Sequence, residues 1–288
     1  MNKVGVSFAY WARAWDADLK PFIERAKKTG MEVLEIMSGS LMDASDAQLA
    51  EIGAMAADNG IRLTMGMTLD EKTDISSGDR AVREAGIKRM TRVLRIMDKL
   101  DSRLIGGLTF GAWGGTIANM DEKKRRTDNS VASNREIVKV AEELDITYCV
   151  EVVNRFEQYM LNTAAEAREY IERVGSPKGG ICLDTFHMGI EEDSMAGAIR
   201  TAGNLLAHMH VGENNRRVPG TGEMNWDNIA SALKDIGFMG AVVMEPFIRC
   251  GDEVGDAVAL WRDLSGNAGE TRMDELITNG AAFIRGKL

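Results

Sequence analysis

The side chains able to do chemistry in this 288-residue chain are few and regularly placed. Four short apolar runs in its second half each deliver one group able to bind a metal or move a proton. Thr147-Tyr-Cys-Val leads into Glu151, and Ile181-Cys-Leu leads into Asp184. His208-Met leads into His210, and Val242-Val-Met leads into Glu245. One acid at the end of a strand is most often a cap or a loop anchor, because loops carry polar residues as a rule. Four in register on consecutive strands are hard to explain as independent caps. Carboxylates crowded at one rim repel each other unless a cation or shared protons hold them. Three carboxylates and one imidazole, without a thiolate, suit Mn²⁺, Co²⁺ or Mg²⁺, and less specifically Zn²⁺. With only three histidines in the chain, any metal site must lean on carboxylates.

A second layer of polar residues follows these runs. Glu157 closes Glu151-Val-Val-Asn-Arg-Phe-Glu157, His187 closes Asp184-Thr-Phe-His187, and Arg216 follows His210 by six residues. All three are placed to hydrogen-bond a polyol or a carbonyl. Taken alone, Glu157 and Arg216 read more simply as solvated loop charges. Glu35, at the end of an early strand, suits structural hydrogen bonding as well as it suits function. His208 lies two residues before His210, on the same strand face and one layer deeper. It reads as a satisfied interior histidine rather than a ligand. Trp11, Trp15 and Trp113 fall in loops, where their rings either shape a sugar pocket or simply pack. The 18 methionines are scattered and read as core filling.

The elements that must position these groups alternate along the chain. Residues 4–8, 32–36, 62–67, 104–109, 146–151, 180–184, 206–211 and 241–245 read as strands. Residues 18–28, 46–58, 79–100, 121–144, 163–174, 194–202, 225–236, 253–263 and 272–286 read as helices. Ser45, Thr163 and Asn225 stand where N-caps belong. Eight strands alternating with helices at this length predict an α/β chain folded as a single (β/α)8 barrel domain over 1–288. A doubly wound dinucleotide fold would show GxGxxG or GxxxxGK[ST], and neither occurs. Gly111-Ala-Trp-Gly-Gly115 fits neither pattern. In a barrel the chemistry lies at the C-terminal ends of the strands, where the four metal-capable groups fall.

Composition narrows the function classes. Lys and Arg number 35 against 44 Asp and Glu, a net charge of −9, which leaves no electrostatic footprint for nucleic acid or an anionic membrane. No apolar stretch approaches the ~20 residues of a membrane span, and the chain opens without a secretory pattern. Cys149, Cys182 and Cys250 are odd in number and lack CxxC spacing, so reduced thiols and a cytoplasmic protein are expected. Cys149 and Cys182 lie in strand-like runs and read as buried packing.

At this point the motifs resemble a known family. Glu151-Val-Val-Asn-Arg-Phe-Glu157, Asp184-Thr-Phe-His-Met188 with Ile190-Glu-Glu192, His210-Val-Gly-Glu-Asn-Asn-Arg216 with Pro219-Gly220, and Met244-Glu-Pro-Phe247 look like the ketose 3-epimerases. These are the D-tagatose, D-psicose (allulose) and L-ribulose 3-epimerases. Tyr10-Trp11, Trp15 and Trp261-Arg-Asp-Leu-Ser265 match as well. The resemblance implies a xylose-isomerase-like TIM barrel and a divalent metal, Mn²⁺ or Co²⁺ first, held by Glu151, Asp184, His210 and Glu245. It implies that the two glutamates double as proton carriers, that Glu157, His187 and Arg216 contact the O1, O2 end of the sugar, and that the chain forms a homodimer or homotetramer. No organic cofactor is implied. Characterised relatives often carry Phe or Tyr where this chain has Ser7, and Gly66 is also small. Both are expected near the far end of the sugar, with Trp113 at the rim, so the departure bears on the preferred ketose and not on the reaction.

The chemistry agrees. A ketose carbonyl at C2 activates the C3 proton, a Lewis acid strengthens that activation, and inversion needs a base on one face and an acid on the other. An aldose–ketose isomerase on the same barrel is the nearest alternative. A metal-dependent phosphodiesterase acting on DNA would want more histidines and a basic face, and a sugar-binding protein would not need four converging ligands.

Overall fold

The structure is a computed structural model that describes residues 2–288. Its strands are β1 (Val4–Ser7), β2 (Val33–Met37), β3 (Arg62–Leu69), β4 (Leu104–Ala112), β5 (Thr147–Val152), β6 (Gly179–Asp184), β7 (Leu206–Val211) and β8 (Ala241–Met244). They pair in parallel in chain order, and β8 pairs with β1 to close the barrel. Closure leaves no open sheet edge.

Strand period decides what faces where. Val4, Val6, Leu34, Ile36, Leu63 and Met65 join the large core shared with the helices. The alternate residues face the barrel interior and stand beside one another in register. Ser7 pairs with Glu35, Glu35 with Thr64, and Met37 with Gly66. Glu151 pairs with Cys182, Cys182 with His208, and Asp184 with His210. A small separate cluster of Val33, Ala241 and Val243 fills the interior below. The barrel therefore has an apolar coat outside and a mostly polar interior toward its mouth.

The helices are α1 (Lys20–Lys28), α2 (Asp46–Asp58), α3 (Arg80–Lys99), α4 (Met120–Glu143), α5 (Ala164–Val174), α6 (Thr185–Glu191), α7 (Met195–Ala202), α8 (Trp226–Asp235), α9 (Glu253–Ala257) and α10 (Glu270–Lys287). Ser45 and Thr163 each form a full capping box, with Gln48 and Glu166 returning the bond, and Asn225 caps α8. α5 stops at Gly175, whose φ of 77° is the left-handed conformation glycine takes without strain. Two expectations are corrected. The helix expected over 253–263 is only α9, and α6 was not foreseen. α6 exists because the Asp184 carboxylate accepts from the backbone N–H of Phe186 (2.5 Å) and His187 (3.4 Å), starting a helix where a loop was expected. Among the described residues no helix is long and apolar enough to cross a membrane.

Thr163→Ala removes the Thr163 side of its capping box, a loss of about 1 kcal/mol for a helix N-cap. We expect a melting temperature a few degrees lower in calorimetry, with far-UV circular dichroism unchanged. An unaltered melting temperature would show that the box contributes nothing to stability.

Candidate active site

A cavity of about 330 Å³ opens at the C-terminal mouth of the barrel. This is near the lower end of the ~300–1,000 Å³ typical of small-molecule sites. Ser7, Gly66, Trp113, Glu151, Glu157, His187, His210, Arg216 and Glu245 all line it. Asp184 lies just beneath, joined to them through the ligand cluster. A larger hollow of about 580 Å³ lies among Ala57, Arg62, Arg103, Ala207 and Gly240, at the starts of the strands. That end of a barrel serves stability rather than chemistry.

Glu151, Asp184, His210 and Glu245 each offer one ligand atom, and these atoms lie within 4.8 Å of one another. His210 Nδ1 is 2.9 Å from Glu151 Oε1 and 4.0 Å from Glu245 Oε2. Glu245 stands one residue past the end of β8, not within it as the sequence suggested. Burial first, then the charges of Glu151 and Asp184, push its pKa up to about 8 against the opposing pull of His210 and Arg216. The main cause is removal of the carboxyl from water, with the neighbouring like charges adding to it, and a divalent cation among the same oxygens would relieve both. Three carboxylates and one imidazole nitrogen fit a hard to intermediate divalent ion. A second grouping, Cys182, His208 and His210, fits less well. It shares His210, and His208 Nε2 is already engaged at 2.8 Å by Glu35 Oε2. Burial pushes the Cys149 and Cys182 thiols well up, which agrees with packing and not nucleophilic chemistry.

Arg216 is held through both faces of its guanidinium and its terminal nitrogens. Its guanidinium lies between the rings of Phe186 and Phe247, 4.5 and 4.3 Å from their centroids. Nη2 donates to Glu245 Oε2 at 2.9 Å, and Nη1 is 3.8 Å from Glu157 Oε1. The residue itself takes a φ of +60°, costly for a side-chain-bearing residue. The loop that imposes this conformation is tied by Glu213. This fully buried carboxylate accepts from Gly220 N (2.6 Å), Met224 N (3.2 Å) and Trp226 Nε1 (3.0 Å). Sequence reasoning passed over Glu213, since its partners lie in an irregular loop without periodicity.

His187 sits on α6, not in a loop. Its Nδ1 accepts the Asn154 backbone N–H at 3.2 Å and lies 2.8 Å from Asn154 Nδ2. A backbone N–H only donates, so Nδ1 carries the lone pair and Nε2 carries the hydrogen of the neutral ring. Asn154 Nδ2 also donates to Glu157 Oε1 at 3.2 Å, coupling the two. Glu35, left open by the sequence, is buried mid-strand beside His208 and His210. His208 is interior as expected but only half satisfied, because its Nδ1 has no partner. Trp113 is part-exposed at the rim and Trp15 lines the cavity, whereas Trp11 is buried and stacks on Phe22. The small wall expected at Gly66 is not open space. A Cβ there would lie 2.6 Å from Met37 Sδ, so a thioether covers the glycine.

The matching family model, a xylose isomerase-like TIM barrel, covers residues 23–266. The chain is 44% identical over 272 residues to the D-psicose 3-epimerase of Ruminiclostridium cellulolyticum, covering 94% of this chain and 93% of the relative. It is 44% identical to the D-psicose 3-epimerase of Agrobacterium fabrum, covering 98% of each. A crystal structure of a D-psicose 3-epimerase in the presence of D-fructose superposes with a TM-score of 0.97 at 44% identity, covering 99% of each chain. The chain belongs to the ketose 3-epimerases. Within this family it is an enzyme built on the xylose isomerase-like barrel, and the sequence motifs had pointed to both.

Gly66 and Gly107 both line the cavity, and the structure separates them. At Gly66 only the flexible end of Met37 must move, so Gly66→Ala should cost less than ~1 kcal/mol. At Gly107, with φ +94°, a Cβ would lie 2.2 Å from the Met67 carbonyl oxygen. Backbone strain and overpacking together put Gly107→Ala at ~2 kcal/mol or more. Urea unfolding of the two variants measures the difference, and equal losses would contradict it.

Proposed function

We propose that this chain catalyses metal-dependent C3 epimerisation of free ketoses, interconverting pairs such as D-fructose and D-psicose, D-tagatose and D-sorbose, or L-ribulose and L-xylulose. The observation that carries the reading is the placement of Glu151 and Glu245 around one ligand cluster in a cavity of sugar size. β5 and β8 lie three steps apart around an eight-stranded ring, so the two carboxylates reach a bound sugar from different sides.

Glu151, Asp184, His210 and Glu245 would hold a divalent cation, Mn²⁺ or Co²⁺ by this donor set, with Mg²⁺ the harder alternative. When bound, that cation supplies Lewis-acid polarisation of the C2 carbonyl, which acidifies the C3–H bond. One glutamate carboxylate takes the C3 proton, leaving an enediolate. The other returns a proton to C3 from the opposite face, and their roles exchange with the direction of reaction. The Arg216 guanidinium, the His187 Nε2–H and Glu157 clamp the O1, O2 end of the ketose. The π-sandwich and the left-handed backbone pre-order Arg216, so little side-chain entropy is lost on binding. Ser7, Trp113 and the Met37 thioether over Gly66 bound the far end of the sugar.

We also read residues 1–288 as one domain acting as a homodimer or homotetramer in the cytoplasm. α10 supports the first point, since Tyr10 Oη near the start donates to Met273 O near the end at 2.9 Å. Exposed Phe156, Met239 and Trp261 offer apolar surface for a second copy, and three free cysteines suit a reducing compartment.

Glu151→Gln and Glu245→Gln should each lower kcat by about 10²–10⁴-fold or more with the fold retained, as expected for loss of a general acid–base group. Near wild-type turnover in either would sink the two-carboxylate assignment. In D₂O the recovered ketose should carry deuterium at C3 by NMR. Label at C1 of the ketose, or at C2 of an aldose product, would instead indicate aldose–ketose isomerisation, and no label would exclude proton exchange at C3. Arg216→Ala should act mainly on KM, and an unchanged KM across a ketose panel would remove it from the clamp.

A further inference from the structure

We propose that Glu35 is a positioning residue for the metal centre: its buried carboxylate spans His208 and His210 and holds the His210 ring with Nδ1 turned to the other ligands. This rests on the metal-binding reading of Glu151, Asp184, His210 and Glu245.

Glu35 lies on β2, and the two histidines lie on β7, three strands away around the ring. The contact therefore crosses the barrel interior, between residues 173 apart in sequence for His208. Glu35, His208 and His210 are all buried. Oε2 accepts from Thr64 Oγ1 at 3.0 Å and faces His208 Nε2 at 2.8 Å. Oε1 lies 2.7 Å from His210 Nε2. That second contact is close but off the hydrogen-bond axis, so the link is chiefly electrostatic. On the other side of the same ring, His210 Nδ1 is 2.9 Å from Glu151 Oε1.

An imidazole that gives one nitrogen to a metal keeps its hydrogen on the other, and that hydrogen needs an acceptor. A carboxylate is such an acceptor: Oε2 is already held by Thr64 and His208, and Oε1 is left beside His210 Nε2. Glu35 thus favours the tautomer with hydrogen on Nε2 and leaves the Nδ1 lone pair for the cluster. The Thr64 hydroxyl and His208 fix the carboxylate in turn. His208 neighbours His210 but is not one of the four groups of the carboxylate cluster, and its Nε2 faces Glu35.

The test uses metal-stripped full-length protein: Mn²⁺ titration by calorimetry, the visible spectrum of the Co²⁺-loaded form, and ketose kinetics at saturating Mn²⁺. Glu35→Gln should weaken Mn²⁺ binding by about 10–100-fold, typical for loss of an outer partner to a ligand. It should alter the Co²⁺ absorption bands and lower kcat while KM stays close to wild type. Thr64→Val, which removes one of the two partners of Oε2 without touching either histidine, should weaken Mn²⁺ binding by a smaller factor in the same direction. Thr163→Ala, destabilised at a distant helix cap, should bind Mn²⁺ as the wild type does. If Glu35→Gln folds and keeps wild-type affinity and spectrum, the proposal is overturned. If Glu35→Gln does not fold, wild-type affinity and spectrum in Thr64→Val overturn it instead. A wild-type protein that binds no Mn²⁺ or Co²⁺ overturns the metal reading itself, a distinct result.

Discussion

The mouth of this barrel is organised by one electrostatic constraint: three carboxylates converge on His210 where water is largely excluded. Burial first, and then the charges of Glu151 and Asp184, push the pKa of Glu245 up to about 8. Such a cluster persists only if the scaffold around it is stiff and if cationic partners are at hand. Both conditions are met. Three of the four groups ride on strands of a closed barrel, and the fourth follows β8 by one residue. Arg216 supplies a fixed positive charge at 2.9 Å from Glu245.

The scaffold spends its irregular features where that cation must be held. Arg216 takes a left-handed backbone, two aromatic rings grip its guanidinium, and Glu213 ties the loop beneath it through three donors. α6 begins on the Asp184 carboxylate and carries His187 into the same cavity. A group of the acidic cluster thus also starts the helix bearing a cavity-facing ring. Site geometry and local folding meet in the same few atoms, so substitutions at Asp184 disturb both.

Much of this was legible from the chain. Strand spacing and apolar runs gave the barrel, and Ser45, Thr163 and Asn225 marked helix starts that the structure keeps. The ends of the last four strands gave the cluster, because side chains at strand ends face a common rim whatever the details of packing. Helix α6 was missed because its N-cap was already read as a ligand. The helix expected over 253–263 was overextended because its apolar spacing continues after the backbone has turned away, with Ala259 at φ +54°. Gly66 was read as a small wall of the site; it lines the cavity, but a sequence does not show that Met37 lies over it.

The sequence by itself determined the types of the clustered side chains, their order on the strands and the acidic character of the chain. Those properties follow from residue identity and from periods of two and 3.6, which are local. Only the tertiary structure decided that Glu35 reaches His208 and His210 across the interior, that Glu213 ties the Arg216 loop, and that His187 shows its Nε2–H to the cavity. Those depend on barrel closure and strand register, which bring together residues such as Glu35 and His208, 173 positions apart, and leave no trace in local spacing.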